Sequence, residues 1–416
     1  MDTMITIDEA FAHYGEVVRP LPEETVPLAD AQGRVLSRNV SSRTDLPPFP
    51  QSAMDGYALR AADVAEADEQ RPTRLHLVGE VPASSLEEVP AIGPGEAMRI
   101  FTGGHLPHGA DAVLRQEDAQ VDDDRLLVCE PLPSGQDYRL QGEEIQAGHP
   151  VVEAGTRLTF RHIAALANSG LAKVGVHREP RVAVMSTGDE VVEPGQPLQP
   201  GQVYNANTPL MAGWLRAQGL TSVGVQTLPD TLAQTEEALS EAFEQADMVI
   251  TTGGVSVGDY DVVIPAAERI GMDVIFWKVR QKPGKPLVFA IMDGKVLLGL
   301  PGNPGSAFAC LLTHGHRLID LMDGESSPRP HFGMGKLVEP VQLSPKREWW
   351  ARCRVHYAAN GEAWLEVLER QASHMIANLG RCQALARIPI GECVLENGHP
   401  VLWADLGDKG STGGSR

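Results

Sequence analysis

Cysteine is scarce in this chain. The five residues (Cys129, Cys310, Cys353, Cys382 and Cys393) form no Cys-x-x-Cys pair, and their odd number leaves no disulfide framework. Long apolar runs are also missing. None approaches a bilayer span, and Met1-Asp-Thr-Met-Ile-Thr-Ile-Asp8 lacks the basic region and apolar core of a secretory signal. A cytoplasmic protein with no membrane partner is the expectation. Positive charge is in deficit: 35 Lys and Arg stand against 55 Asp and Glu, for a formal net charge of −20. That balance argues against nucleic acid, whose binding demands a basic face. No Gly-x-x-x-x-Gly-Lys-Ser/Thr phosphate loop occurs. The 13 histidines show no ligand spacing, and His314-x-His316 reads as helix decoration rather than a zinc site.

What is present is a chain of 416 residues, 42% hydrophobic and 22% charged, which is ordinary for a globular protein. Its length allows about two to four domains. The most informative stretch is Met248-Val-Ile-Thr-Thr-Gly-Gly-Val-Ser-Val-Gly-Asp-Tyr-Asp261. The apolar run reads as a strand buried on both faces. Gly253, Gly254 and Gly258 let the following backbone approach an anion, and Asp259 and Asp261 come next. Arg181-Val-Ala-Val-Met-Ser-Thr-Gly-Asp-Glu190 has the same order of strand, turn and acids. Val296-Leu-Leu-Gly-Leu-Pro-Gly-Asn-Pro-Gly-Ser306 repeats the strand and turn without the acids. Three such strands predict a parallel α/β sheet with its ligand at the carboxyl ends of the strands.

In chain order, Thr6-x-x-Glu9 fits a capping box for a helix over 6–18, with Ile7, Phe11, Tyr14 and Val18 on one face. The apolar segment 26–40 is expected to pack on that helix. Residues 1–44 and 148–178 form an N-terminal helical and linking domain, with a helix from Phe160 to Asn168 and a strand over Lys173–His177. Short strands at Leu75–Val81, Ala97–Phe101, Ala112–Gln116 and Leu126–Cys129 mark an inserted β domain over 45–147. The α/β domain occupies 179–327, with helices opening at Pro209 and at Thr231. A C-terminal β domain follows over 328–407, with an Asn360-Gly361 hairpin turn. Residues 408–416 read as a disordered tail.

The carboxylates at strand ends are Asp189, Glu190, Asp230, Asp259 and Asp261. Gathered in one crevice they need a counter-charge, and oxygen ligands favour Mg²⁺. Lys278, Arg280, Lys282 and Lys285 form a basic cluster stiffened by Pro283 and Pro286. It reads either as a solvated turn or as an anion-binding segment. Asn303 as N-cap and Pro304 at the first helical position would leave the Gly305 and Ser306 N–H groups free for an anion. Asp55 in Met54-Asp-Gly56 either bonds its own turn or serves a site, and Asp230 either caps the next helix or joins the acids. Gly254-Val-Ser-Val-Gly258 matches a serine-hydrolase elbow, but Thr251-Thr-Gly253 separates it from its strand and acids follow it.

These motifs together resemble the molybdopterin molybdenumtransferases and the related C-terminal domain of gephyrin. Ser52-Ala-Met-Asp-Gly-Tyr-Ala58, Phe101-Thr-Gly103, Ser186-Thr-Gly-Asp-Glu190, Thr252-Gly-Gly-Val-Ser-Val-Gly-Asp-Tyr-Asp261, Lys282-Pro-Gly-Lys-Pro286 and Gly299-Leu-Pro-Gly-Asn-Pro304 carry the resemblance over nearly the whole chain. It implies insertion of molybdenum from molybdate into adenylylated molybdopterin, with release of AMP and a requirement for Mg²⁺. It also implies a homodimer with a shared active site, in which Asp55 and Thr102 face the α/β crevice of the other chain. On this reading Asp55, Glu190, Asp230, Asp261, Lys278 and Lys282 are catalytic, and Glu190, Asp230 and Asp261 hold the metal. Thr102, Arg139, Gly253, Gly254, Ser256, Gly258, Lys285, Pro301, Pro304, Ser306 and Ser373 bind the pterin or the oxyanions. Glu144 departs from the family pattern, where an aspartate is usual. The other reading is a non-catalytic scaffold that kept the fold, against which the intact acids and lysines argue.

Overall fold

The computed structural model describes residues 4–84, 88–188, 190–228, 231–255 and 262–406. Its centre is a six-stranded sheet, ordered Ser222–Leu228, Val182–Thr187, Met248–Thr252, Lys295–Leu300, Pro286–Met292, Asp273–Lys278. The first four strands run parallel, and the last two are added antiparallel. The expected parallel core is therefore present. The two antiparallel strands escaped sequence reading because the lysine cluster and its prolines masked them.

Alternate residues of the central strands face opposite layers. Val182, Val184, Met248 and Ile250 meet the helices Asn207–Ala217 and Pro304–Cys310, while Ala183, Met185 and Val249 meet Leu232–Gln245 and Val263–Arg269. Burial on both faces explains why these strands read as unbroken apolar runs. The helix Asn207–Ala217 begins ahead of Pro209, which places Asn207 at its mouth. Beyond Cys310 the last helix passes through a π-helical turn, Leu311–Gly315, and continues as His316–Met322. His314 and His316 are buried there rather than decorating a surface.

The helix Ile7–Val17 carries the Thr6–Glu9 capping box. Its apolar face packs on the central domain, against Phe276, Phe289 and the last helix, and not on segment 26–40. Leu28, Ala31 and Leu36 build a separate core with Leu158, Leu166 and Val176. The reason is local pairing: the Ile5 backbone bridges Lys278 and Arg280, which delivers the helix to the sheet edge. The linking region is tied by Glu23–Pro27 on Lys173–His177 and Val40–Ser41 on Pro150–Val152.

The inserted β region is a six-stranded sheet ordered Ala112–Arg115, Gly56–Leu59, Glu96–Ile100, Thr73–Val81, Arg125–Val128, Gln120–Asp122. The C-terminal strands close on themselves, since Ala384–Ile388 pairs both with Pro400–Asp405 and with Glu348–Tyr357. Gln281–Lys282 joins that barrel alongside Glu348 and Trp349. The lysine segment thus belongs to both units, and this seam forms one wall of the site.

Candidate active site

The three Gly-containing turns meet at the carboxyl edge of the sheet because their strands are immediate neighbours in register, with Ser186 opposite Thr252 and Thr252 opposite Leu300. They touch each other directly. The Gly253 N–H donates to the Leu300 carbonyl at 3.1 Å, and Asn207 Nδ2 donates to the Gly302 carbonyl at 2.8 Å. Gly253 has a φ of 87°, and a Cβ there would lie 2.6 Å from Thr187 Oγ1. Only glycine lets these two turns approach so closely.

The turns surround a cleft of about 640 Å³ lined by Thr187, Glu190, Tyr204, Asn207, Gly253, Gly254, Asn303, Pro304 and His374. Two polar atoms in these walls, Thr187 Oγ1 and Asn207 Oδ1, are buried without a hydrogen-bond partner among the described residues. Buried orphans of this kind are costly, so they mark where a polar ligand would complete the wall.

A second cleft of about 390 Å³ adjoins the first at Asn303. Its lining includes Lys282, Lys285, Arg347, Trp349, Pro301, Ser306 and Ser373. Three cations from two units converge there on an otherwise acidic protein. Lys282 Nζ lies 4.6 Å from the Trp349 ring centroid, and burial together with neighbouring Arg347 lowers its pKa. Like charges held together at partial burial describe a place built for an anion.

The helix N-terminus at 304 does not act as expected. Asn303 makes no side-chain cap, the Gly305 N–H donates to the Ser373 carbonyl at 2.8 Å, and the Ser306 N–H returns to Asn303. Both donors are already engaged, Gly305 by the docked 371–375 loop of the C-terminal unit and Ser306 within its own turn. Ser373 reaches the cleft by this contact.

Comparison with known proteins fits this geometry. Residues 5–170 match the MoeA N-terminal region (domain I and II), and residues 183–320 match a probable molybdopterin binding domain. The molybdopterin molybdenumtransferase of Nostoc sp. is 34% identical over 387 residues, covering 92% of this chain and 88% of that protein. That of Bacillus subtilis is 34% identical over 403 residues, 96% and 93% of the two chains. The chain belongs to the MoeA family of molybdopterin molybdenumtransferases. A crystal structure of the molybdopterin biosynthesis MoeA protein from Pyrococcus horikoshii superposes with a TM-score of 0.81 at 27% identity, over 97% of this chain and all of that one (100%).

Other residues singled out for their MoeA-type motifs sit elsewhere. Asp55 Oδ1 accepts from the Thr102 N–H and hydroxyl, both at 2.8 Å, which lowers its pKa, with a smaller contribution from Arg99. Arg139 lies nearby on Tyr138–Arg139, paired with Gln51–Ser52. None of the three lines either cleft. Lys278 lies over the Trp277 ring, 3.6 Å from its centroid, and is likewise not in the lining. Glu144 is exposed.

Asp189, Asp230, Ser256, Gly258, Asp259 and Asp261 lie outside the described residues. Among the described residues no group of three His, Cys, Asp or Glu could hold a metal ion. The donors on this wall of the first cleft are oxygens: the Glu190 carboxylate, Thr187 Oγ1 and Asn207 Oδ1. That donor set suits a hard cation such as Mg²⁺ rather than a soft one.

Sequence reasoning missed Asn205, Asn207, Tyr204 and His374 in the first cleft, and Arg347 and Trp349 in the second. The Asn205-Ala-Asn207 pair before a helix and the Lys346-Arg347 pair were visible signals. No helix among the described residues is long and apolar enough to cross a membrane.

Proposed function

We propose that this chain takes adenylylated molybdopterin and molybdate, releases AMP and leaves molybdenum on the pterin dithiolene. The observation that carries this is the junction of a polar, orphan-lined cleft with a cation-lined one at Asn303. The larger cleft suits a pterin and its pyrophosphate, contacted by the Gly253–Gly254 turn, Asn207 and Thr187. The smaller suits a compact oxyanion, held by Lys282, Lys285 and Arg347 with Ser306 and Ser373 beside them. Lys278 adds positive potential at the strand end rather than a direct contact.

Glu190, Asp230 and Asp261 are assigned to Mg²⁺, which when bound would neutralise the pyrophosphate charge. Asp55, held by Thr102 and with Arg139 close by, is assigned to the crevice of a second copy in a homodimer. Its engagement with Thr102 leaves the carboxylate ionised and its second oxygen available to a neighbour.

The test is AMP release from adenylylated molybdopterin with molybdate, with and without Mg²⁺. Loss of activity in Asp261→Ala with retention in Asp259→Ala supports the acid assignment, and an inactive parent protein overturns the whole reading. Mixing inactive Asp55→Ala and Lys282→Ala chains should restore about a quarter of wild-type activity, because half the random dimers carry one intact shared site. No recovery on mixing would place Asp55 in its own chain's site or in none.

A further inference from the structure

Gln281 immediately precedes the Lys282-Pro-Gly-Lys285 segment and is wholly buried. Its side chain lies at the centre of a polar train that crosses three parts of the molecule. The Trp350 indole N–H donates to Gln281 Oε1 at 3.0 Å. His314 Nε2 lies 3.1 Å from the same oxygen, and the Tyr14 hydroxyl lies 3.0 Å from His314 Nδ1. On the other side Gln281 Nε2 donates to the Gly284 carbonyl at 3.0 Å and reaches Cys310 Sγ at 3.5 Å.

The direction of every bond follows from one fact. An indole nitrogen can only donate, so the Gln281 atom facing Trp350 is the oxygen. That oxygen can only accept, so His314 carries its proton on Nε2. Nδ1 is then bare, and the Tyr14 hydroxyl donates to it. Burial holds His314 neutral, with its pKa pushed down to about 3, so this tautomer persists across the ordinary pH range. No donor or acceptor of the Gln281 amide is left over.

We propose that Gln281 is a positioning residue for the cation-lined cleft, and that Tyr14 and His314 act on that cleft through it. The amide closes the turn that carries Lys282 and Lys285, from beneath. The turn has little freedom to do without it: Gly284 has a φ of 91°, and a Cβ there would meet Cys310 Sγ at 2.4 Å and Gln281 Nε2 at 3.0 Å. Tyr14 lies on the N-terminal helix and touches neither cleft, yet its hydroxyl, donating to Nδ1, holds the His314 ring whose Nε2–H orients Gln281. This inference rests on the assignment of the smaller cleft to molybdate.

The experiment measures AMP release against molybdate at saturating adenylylated molybdopterin, and then the converse. Gln281→Leu should raise the molybdate KM about tenfold and Tyr14→Phe about threefold, while the pterin KM stays within about twofold. The double variant should be no worse than Gln281→Leu alone, since the two act in series. Parallel rises in both KM values, or additive effects, would overturn the positioning role. Should Gln281→Leu fail to fold, Tyr14→Phe decides alone, because its ring keeps the packing on Phe276 and Phe289. In that case a raised molybdate KM with an unchanged pterin KM supports the role, and an unchanged molybdate KM refutes it. Lys285→Ala, which removes a lining cation of the same cleft, separates the two readings. If it leaves the molybdate KM unchanged, the cleft assignment falls and this inference with it. If it raises that KM while Gln281→Leu and Tyr14→Phe do not, only the relay is wrong.

Discussion

Replacing Gly305 by alanine should damage the site without removing any side chain assigned to it. A Cβ at this position would lie 2.7 Å from the Ser373 carbonyl oxygen and 3.3 Å from its carbon, with the Met375 oxygen at 3.5 Å. The opposing atom is backbone and cannot rotate away, so the 371–375 loop must retreat by roughly 0.7 Å to restore an ordinary contact. Overpacking of this kind costs about 1–3 kcal/mol, and weakening the Gly305 N–H to Ser373 bond adds about 1 kcal/mol. Ser373 and His374 line the two clefts on either side of Asn303, so the same retreat moves both walls. Displacement on that scale should lower kcat/KM for AMP release by about tenfold. Activity assayed well below the midpoint of thermal unfolding isolates this from loss of folded protein. Full activity with unchanged stability would show that the docked loop does not shape the site, and would restore the idea of free helix N–H groups there.

Three further outcomes follow from buried groups and tight turns. Asp323 is buried beside Arg157, and burial raises its pKa to about 6. The folded state therefore keeps this proton where the unfolded chain has released it, and the contribution of Asp323 to stability falls as pH rises from about 4 to about 6. Asp323→Asn should match wild type near pH 4 and exceed it by at most about 3 kcal/mol at pH 7 in urea unfolding; a difference that does not change with pH would refute this. Asp320 is the opposite case: it is 1% exposed and bound by Arg329 at 2.7 Å and Arg157 at 3.0 Å. Asp320→Ala should cost about 3–5 kcal/mol, at the lower end because Arg157 can rehydrate, and a loss under about 1 kcal/mol in the same assay would refute it. Gly253→Ala combines a positive φ with a clash on Thr187, and should weaken molybdopterin binding at least about tenfold in a fluorescence titration, whereas unchanged affinity would remove this turn from the site.

Much of this protein is legible in its sequence because its signals are short-range. The apolar runs of 182–187, 248–252 and 295–300 announce strands buried on both faces, and the glycines after them announce turns. The capping box at Thr6 and the Asn360-Gly361 hairpin turn are likewise local, and both are found where expected. Even the family is legible, since its motifs are contiguous peptides in a fixed order. Tertiary structure alone decided what those pieces meet. Helix Ile7–Val17 left its sequence neighbours for the far end of the chain, and Tyr14 found His314 across 300 residues. Ser373 closed the helix end that the local sequence leaves open, Arg347 and Trp349 joined the lysines, and Asp55 stayed apart from both clefts. Periodicity and turn chemistry depend on residues within a few positions of one another. Which buried donor meets which acceptor depends on how the domains pack, and no local pattern records that.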